Sequence, residues 1–265
     1  MKVGITGVDG RMGQALIKEV IANKNLEIGG GLAGLNDVGL NEDIGTFIGE
    51  KNKVGILITN DLEKLFDDCD VVIDFTTPIV SLKCAEIAAR KGKKLIIGTT
   101  GLTDEDKKQL KEYSKTAAIV QSGNMSIGVN LLLNVIENVA GILGSDYDAE
   151  IIEMHHRNKK DAPSGTALML GEAIASGKKL DFNRAKKLSR EGIVGVRAVD
   201  EIGFATLRGG SVVGDHSVIF AGTDEVIEFT HKAGSRQIFV NGAIKAAIWI
   251  KDKTSGIYSM REVLK

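Results

Sequence analysis

Apolar and amphipathic runs alternate regularly through the first half of the chain. Lys2–Thr6 is an apolar run of strand length, and Arg11–Asn23 sets Met12, Ala15, Leu16, Glu19 and Val20 at helical spacing. Asp70–Phe75, Lys94–Ile97 and Ala117–Val120 read as further short strands, separated by helices over Ile79–Lys91 and Thr103–Lys115. Thr103 with Asp106 three residues later is a capping-box variant that starts the second of these helices. Strand–helix–strand alternation implies parallel pairing, because parallel strands need a crossover of a dozen or so residues. The first half therefore predicts an α/β, doubly wound parallel sheet.

Around residue 127 the pattern changes. Ile127–Leu143 reads as a long helix, Tyr147–His156 as a strand and Ser164–Ser176 as a loop and helix. From Val196 to Lys232 the chain is strand-like and punctuated by Gly209-Gly210, Gly214-Asp215 and Gly222-Thr223-Asp224, which predicts an α+β region with a mostly antiparallel sheet. Ser235–Lys253 reads as a final amphipathic helix with Ser235 as its N-cap. Asp37–Lys53 is the least structured segment, and an irregular stretch of that length is usually functional or mobile.

Composition narrows the function classes. The 265 residues include 32 glycines and only 2 prolines, Pro78 and Pro163. That balance excludes collagen-like and proline-rich chains, and 43% hydrophobic residues suffice for a sizeable core. Lys+Arg 34 against Asp+Glu 35 leaves a net charge of -1, which carries no electrostatic footprint for nucleic acid. No run reaches the 18 or so apolar residues of a membrane span, and the N-terminus lacks the apolar run of a signal peptide. Cys69 and Cys84 have no metal-type spacing and suit a reducing compartment. The expectation is a soluble, cytoplasmic protein.

The first strand runs directly into Gly7-Val8-Asp9-Gly10-Arg11-Met12-Gly13, which opens the first helix. Glycine lets backbone N–H groups approach a pyrophosphate, and the helix N-terminus stabilises its charge. The spacing is G-x-x-G-x-x-G, and a tight structural turn is its other reading. Thr76-Thr77-Pro78, Gly98-Thr99-Thr100-Gly101 and Ser122-Gly123-Asn124-Met125 all follow predicted strands, at the edge where doubly wound sheets bind ligands. The second strand, near Leu26–Ala33, ends without the acidic residue that would hold an adenosine ribose. Asp37 is the nearest acid, and NADH versus NADPH is not readable.

The second concentration of chemistry is Glu153-Met154-His155-His156-Arg157-Asn158-Lys159-Lys160-Asp161-Ala162-Pro163-Ser164-Gly165-Thr166. Cationic and imidazole groups ahead of a helix start suit a small multiply anionic ligand. Ser164 would cap the helix, with the Gly165 and Thr166 amides offered to a carboxylate. On a continuous strand His155 and His156 point to opposite faces, so one could move a proton while the other binds substrate. A metal site lacks a third ligand nearby, and a solvated basic loop is the plain alternative.

Together these segments resemble the dihydrodipicolinate reductase family of lysine biosynthesis. The likeness spans the chain through Asp74–Pro78, Asn124–Asn130, Glu153–Thr166, Ile202–Gly210, Gly214–His216 and Phe229–Ala233. It implies reduction of 4-hydroxy-tetrahydrodipicolinate by NADH or NADPH, with loss of water. It also implies a Rossmann-like dinucleotide domain of residues 1–126 plus 235–265. Residues 127–234 would form a substrate and oligomerisation domain with an open mixed sheet, assembled as a homotetramer. Carried over by motif, His155 would be the proton donor/acceptor and Lys159 a second proton donor. His156, Gly165 and Thr166 would bind the dicarboxylate. Gly7, Val8, Asp9, Gly10, Arg11, Met12, Gly98, Thr99, Thr100, Ser122, Gly123, Asn124 and Met125 would line the cofactor, with no metal. The family's acidic–basic pair after the second strand is replaced here by Leu32-Ala33-Gly34, and His216 and His231 are expected to be structural.

Two rival readings differ in testable ways. A semialdehyde dehydrogenase needs a nucleophilic cysteine, and neither Cys69 nor Cys84 sits in a suitable loop. A non-catalytic nicotinamide sensor would be expected to lose the acid–base pair, yet His155 and Lys159 are both present.

Overall fold

The computed structural model describes residues 1–34 and 36–265. In chain order the elements are β1 (Lys2–Thr6), α1 (Arg11–Ala22), β2 (Glu27–Leu32), α2 (Ile44–Phe47), α3 (Leu62–Asp68) and β3 (Val71–Asp74). Then come α4 (Pro78–Lys91), β4 (Lys94–Ile97), α5 (Asp104–Tyr113), β5 (Ala118–Gln121), α6 (Ile127–Leu143), β6 (Asp148–His155) and α7 (Gly165–Lys178). The remainder is α8 (Phe182–Ala185), β7 (Lys186–Lys187), β8 (Ile202–Arg208), β9 (Asp215–Ala221), β10 (Val226–Lys232), α9 (Gln237–Trp249), β11 (Gly256–Tyr258) and α10 (Met260–Val263). The chain divides into two compact units, residues 1–127 with 237–265, and residues 128–236.

The first unit is a parallel sheet in the order β11-β5-β4-β3-β1-β2, of the Rossmann type. Its strands alternate between two apolar layers. Val3, Ile5, Val71, Ile73 and Val120 pack with Leu16 and Val20 of α1 and Val240 and Ala247 of α9. Val72, Leu95, Ile97 and Ile119 pack with Phe66, Cys84, Ala88 and Leu110 on α3, α4 and α5. Because both faces are covered, the strands are apolar runs without polar alternation. The helix signals behave as the chemistry requires: Thr103 and Asp106 close a reciprocal capping box on α5, and Pro78 occupies the first turn of α4.

Three features were not visible as pattern. β11 closes the sheet edge beside β5 with only three residues, and α2 and α3 lie in stretches too short for a clear period. The segment 37–53 is ordered: Asp43 accepts hydrogen bonds from the Gly45, Thr46, Val54 and Gly55 amides at 3.0, 3.1, 3.1 and 2.7 Å. The final helix begins at Gln237, two residues beyond Ser235.

The second unit holds a mixed sheet in the order β10-β9-β6-β8-β7. β9 pairs antiparallel with β6 and β10, whereas β8 runs parallel to both β6 and β7. The parallel pairing follows from chain length, since β6 and β8 are separated by α7, α8 and a long loop that together return the chain to the same end. Ala149, Ile151, Ile202, Phe204, Val218 and Phe220 form its core with α6 and α7. The helix α6, continued by a 3₁₀ turn to Asp146, is long and apolar enough by composition to cross a membrane. No unbroken apolar run marks it in the sequence, because Asn130, Asn134, Glu137 and Asn138 interrupt it. Val129, Leu133, Ile136 and Ala140 are buried in the core of this unit, and Gly177 of α7 approaches so closely that a Cβ there would stand 2.1 Å from the Glu137 carbonyl.

Candidate active site

At the carboxyl edge of the first sheet, the loop after β1 is shaped by backbone contacts. Gly7 has φ +62°, a left-handed conformation that favours glycine, and its carbonyl accepts from Gly10 N at 3.0 Å. A Cβ on Gly13 would lie 2.2 Å from the Gly7 oxygen, so α1 can start against this turn only with glycine there. Gly10 is the N-cap of α1 and makes no side-chain cap, and the first turn contains no acid. The helix thus offers uncapped amides to an anion, as a pyrophosphate requires. Val8 is buried, while Asp9 and Arg11 are exposed.

Two of the other three loops at this edge are organised by one buried acid. Asp74, at the end of β3, accepts from Thr6 Oγ1 at 2.6 Å, from Thr99 Oγ1 at 2.9 Å, and from the Thr76 and Ser81 hydroxyls. Thr99 Oγ1 also accepts from the Thr76 amide at 3.0 Å. Thr99 therefore ties two loops together with its side chain, and Thr100 is the exposed residue of the pair. Gly98 lies under the Phe75 ring, which a Cβ would meet at 2.3 Å. Ser122 Oγ donates to the Asn124 carbonyl at 2.7 Å, and Asn124 Oδ1 accepts from Ser126 N at 2.8 Å, leaving Gly123 exposed at the loop tip. Met125 is buried, and its carbonyl abuts α9 at Gly242, where a Cβ would stand 1.7 Å away.

In the second unit, the α-covered face of the sheet changes character along its length. On β6 that face reads Ala149, Ile151, Glu153, His155; on β8 it reads Ile202, Phe204, Thr206, Arg208; on β9, Phe220, Val218, His216. Register places Glu153 opposite Thr206 and His216, and His155 opposite Arg208. The core thus gives way, with unbroken period two, to a cluster of titratable groups.

Glu153 is the hub. It is 1% exposed and accepts from His155 Nδ1 at 2.6 Å, from Arg208 Nη1 and Nη2 at 2.8 and 2.9 Å, and from Ser164 N at 3.0 Å. Burial pushes its carboxyl up, but the bonds from His155, Arg208 and Ser164 outweigh that and hold it down at about 2. With Nδ1 of His155 donating to a permanent carboxylate, its Nε2 is the nitrogen left for chemistry, beside Gly214. The His216 ring meets His155 edge-on at 5.1 Å, and its Nε2 bonds Ser164 Oγ at 2.9 Å. Burial pushes His216 down to about 4, so it is neutral near pH 7. Ser164 Oγ caps α7 by accepting from Ala167 N, placing Gly165 and Thr166 in the first turn.

The remaining loop residues are more open. His156 lies just past the strand end and is half-buried, its amide bonded to the Val212 carbonyl. Lys159 pairs with Asp161 at 2.9 Å, and Arg208 also donates to the Asp161 carbonyl. Glu153 and Arg208 are not singled out by the sequence pattern, although their same-face period with the core strands is a usable signal, and His216, expected to be structural, is buried and bonded to Ser164. Both thiols are buried and pushed up, Cys69 to about 12, which disfavours a thiolate nucleophile.

A dinucleotide-type sheet with a glycine turn at a bare helix N-terminus, joined in one chain to a buried carboxylate–imidazole pair, defines a two-domain NAD(P)H-dependent oxidoreductase. Comparisons with known proteins then fix the family. The family model for the dihydrodipicolinate reductase N-terminus matches residues 1–125, and that for the C-terminus matches residues 128–264. The chain is 47% identical over 264 residues to 4-hydroxy-tetrahydrodipicolinate reductase of Rhodopseudomonas palustris (strain BisA53), covering 100% of this chain and 96% of the relative. It is 44% identical to the enzyme of that name from Hahella chejuensis, covering 99% of this chain and 98% of the relative. The dipicolinate-bound dihydrodipicolinate reductase from Paenisporosarcina sp. TG-14 superimposes with a TM-score of 0.78 at 25% identity, over 100% of this chain and 99% of that one. The chain belongs to the dihydrodipicolinate reductase family.

Proposed function

We propose that this protein reduces 4-hydroxy-tetrahydrodipicolinate to tetrahydrodipicolinate with NADH or NADPH and loss of water, in the diaminopimelate route to lysine. Family membership supports the reaction, and the observation that carries the site is the His155–Glu153–Arg208 arrangement. Reduced nicotinamide supplies the hydride when bound, and Gly7–Met12, Gly98–Thr100 and Ser122–Met125 would hold it. The fit rests on the uncapped first turn of α1 and on the two glycines, 7 and 13, that leave that turn no side chain in the way.

His155 is the proton-transfer group in this reading. Glu153 accepts from its Nδ1 and fixes the tautomer, while Arg208 binds the same carboxylate and holds it in place. Lys159 supplies a second proton, and its ammonium is positioned by the ion pair with Asp161. His156 and the Gly165 and Thr166 amides at the start of α7 bind the two carboxylates. Holding a dianion among cations and helix amides favours the transition state only where charge develops on hydride addition. The dipicolinate bound in the Paenisporosarcina relative is a dicarboxylate of the same size class and supports this assignment.

Residues 1–126 with 235–265 act as the dinucleotide domain and 127–234 as the substrate and assembly domain. Assembly as a homotetramer is supported by the uncovered face of the second sheet, where Leu207 is exposed, and by the loop carrying Ile193, Val196 and Val199 at 105%, 98% and 77% exposure. The two unpaired cysteines suit a soluble enzyme of the cytoplasm. The test couples the preceding synthase to this protein and follows nicotinamide oxidation. Oxidation dependent on the synthase product is expected, and none with either cofactor would favour a sensing role instead.

A further inference from the structure

The end of β2 lacks an acid, yet the space beside it contains one. Ala33 is buried and Gly34 has no side chain. A Cβ built on Gly34 would stand 2.4 and 2.5 Å from the two carboxylate oxygens of Asp9, the third residue of the glycine loop. The Asp9 carboxylate therefore fills the volume that a side chain at position 34 would need. It is exposed, and among the described residues no hydrogen bond or ion pair engages it. Asp9 directly precedes Gly10, the N-cap of α1, where the helix amides favour a negative group.

We infer that Asp9 replaces the missing strand-end acid: its carboxylate accepts the adenosine ribose 2′-hydroxyl and so selects NADH over NADPH. In dinucleotide-binding folds that acid lies at the end of the second strand, and a nearby arginine takes its place where a 2′-phosphate is bound. Here the acid reaches the same strand end from the neighbouring loop, and glycine at 34 is what admits it. A 2′-phosphate would bring close to two negative charges against a carboxylate, and like charges at contact disfavour both. Arg11 is the one cation of the loop, and it makes no ion pair with Asp9. Asp37 lies further along the chain beyond Gly34.

The inference rests on the reductase reading only for the cofactor class. It is tested by binding NADH and NADPH to the full-length protein without substrate, followed by nicotinamide fluorescence. Wild type is expected to bind NADH at least ~10-fold more tightly. Asp9→Asn and Asp9→Ala should bring the ratio close to one, by weakening NADH and strengthening NADPH, while Asp37→Asn leaves it unchanged. Equal or NADPH-favouring binding by wild type, or a ratio indifferent to Asp9, would overturn the inference. Tight NADH binding without turnover of the synthase product would sink the reductase reading and leave Asp9 standing.

Discussion

The two polar regions of this molecule are made from different materials. The glycine-loop edge of the first unit is made largely of backbone, with Gly7, Gly13, Gly98 and Gly242 each in a place where a Cβ would strike a neighbour. The polar end of the second sheet is made of side chains on three adjacent strands, with Glu153 shared by His155, Arg208 and Ser164. A backbone site is sensitive to added volume and indifferent to charge far from it. A side-chain site is sensitive to lost charge or a lost proton, because its members satisfy one another.

Predictions follow from that contrast in order of size. Glu153→Gln is expected to cost about 3–5 kcal/mol in urea unfolding, since it leaves the Arg208 guanidinium without its bidentate partner. The wild-type carboxyl, held at about 2 against an ordinary 4.5, contributes stability that is complete above the ordinary value. That contribution is lost as pH falls from there toward about 2, and the Gln variant should lack this part of the acid dependence. His155→Gln, and separately Lys159→Ala, should lower turnover at least ~100-fold with NADH affinity unchanged. Unchanged turnover in both would remove the site assignment.

Gly13→Ala should do the reverse, losing nicotinamide affinity and about 1–3 kcal/mol of stability through overpacking against Gly7, while the unfolding of the second unit is unaffected. Ser164→Ala should cost about 1 kcal/mol by uncapping α7. His216, pushed down by burial to about 4, destabilises the fold as pH falls below the ordinary histidine value of 6.5, with the loss complete below about 4. His216→Asn should flatten stability across that window, and a curve as steep as wild type's would contradict it.

Legibility in the sequence followed the same division. β1, β4 and α6 could be placed to the residue because an apolar run or a full helical period marks them. β11 escaped because three residues, Gly256, Ile257 and Tyr258, carry no period at all, and their strand identity comes from pairing with β5. His155 and Lys159 stood out in one short loop. Glu153, Arg208 and His216 did not, because their meaning depends on cross-strand register. Thr99 was legible as a loop polar residue, but its use on Asp74 required the neighbouring strand.

The return of residues 237–265 to the first unit also bears on how the chain is made. β11 and α9 follow residues 128–236 in the chain, so during synthesis the first sheet has an unpaired β5 edge and lacks α9 from its apolar layer until they emerge. Residues 128–236 have all their strands much earlier. The cluster around Glu153 and His155 can thus be assembled on the nascent chain before the first sheet is closed, and a truncation within residues 237–265 would strike the fold of the first unit while sparing the second.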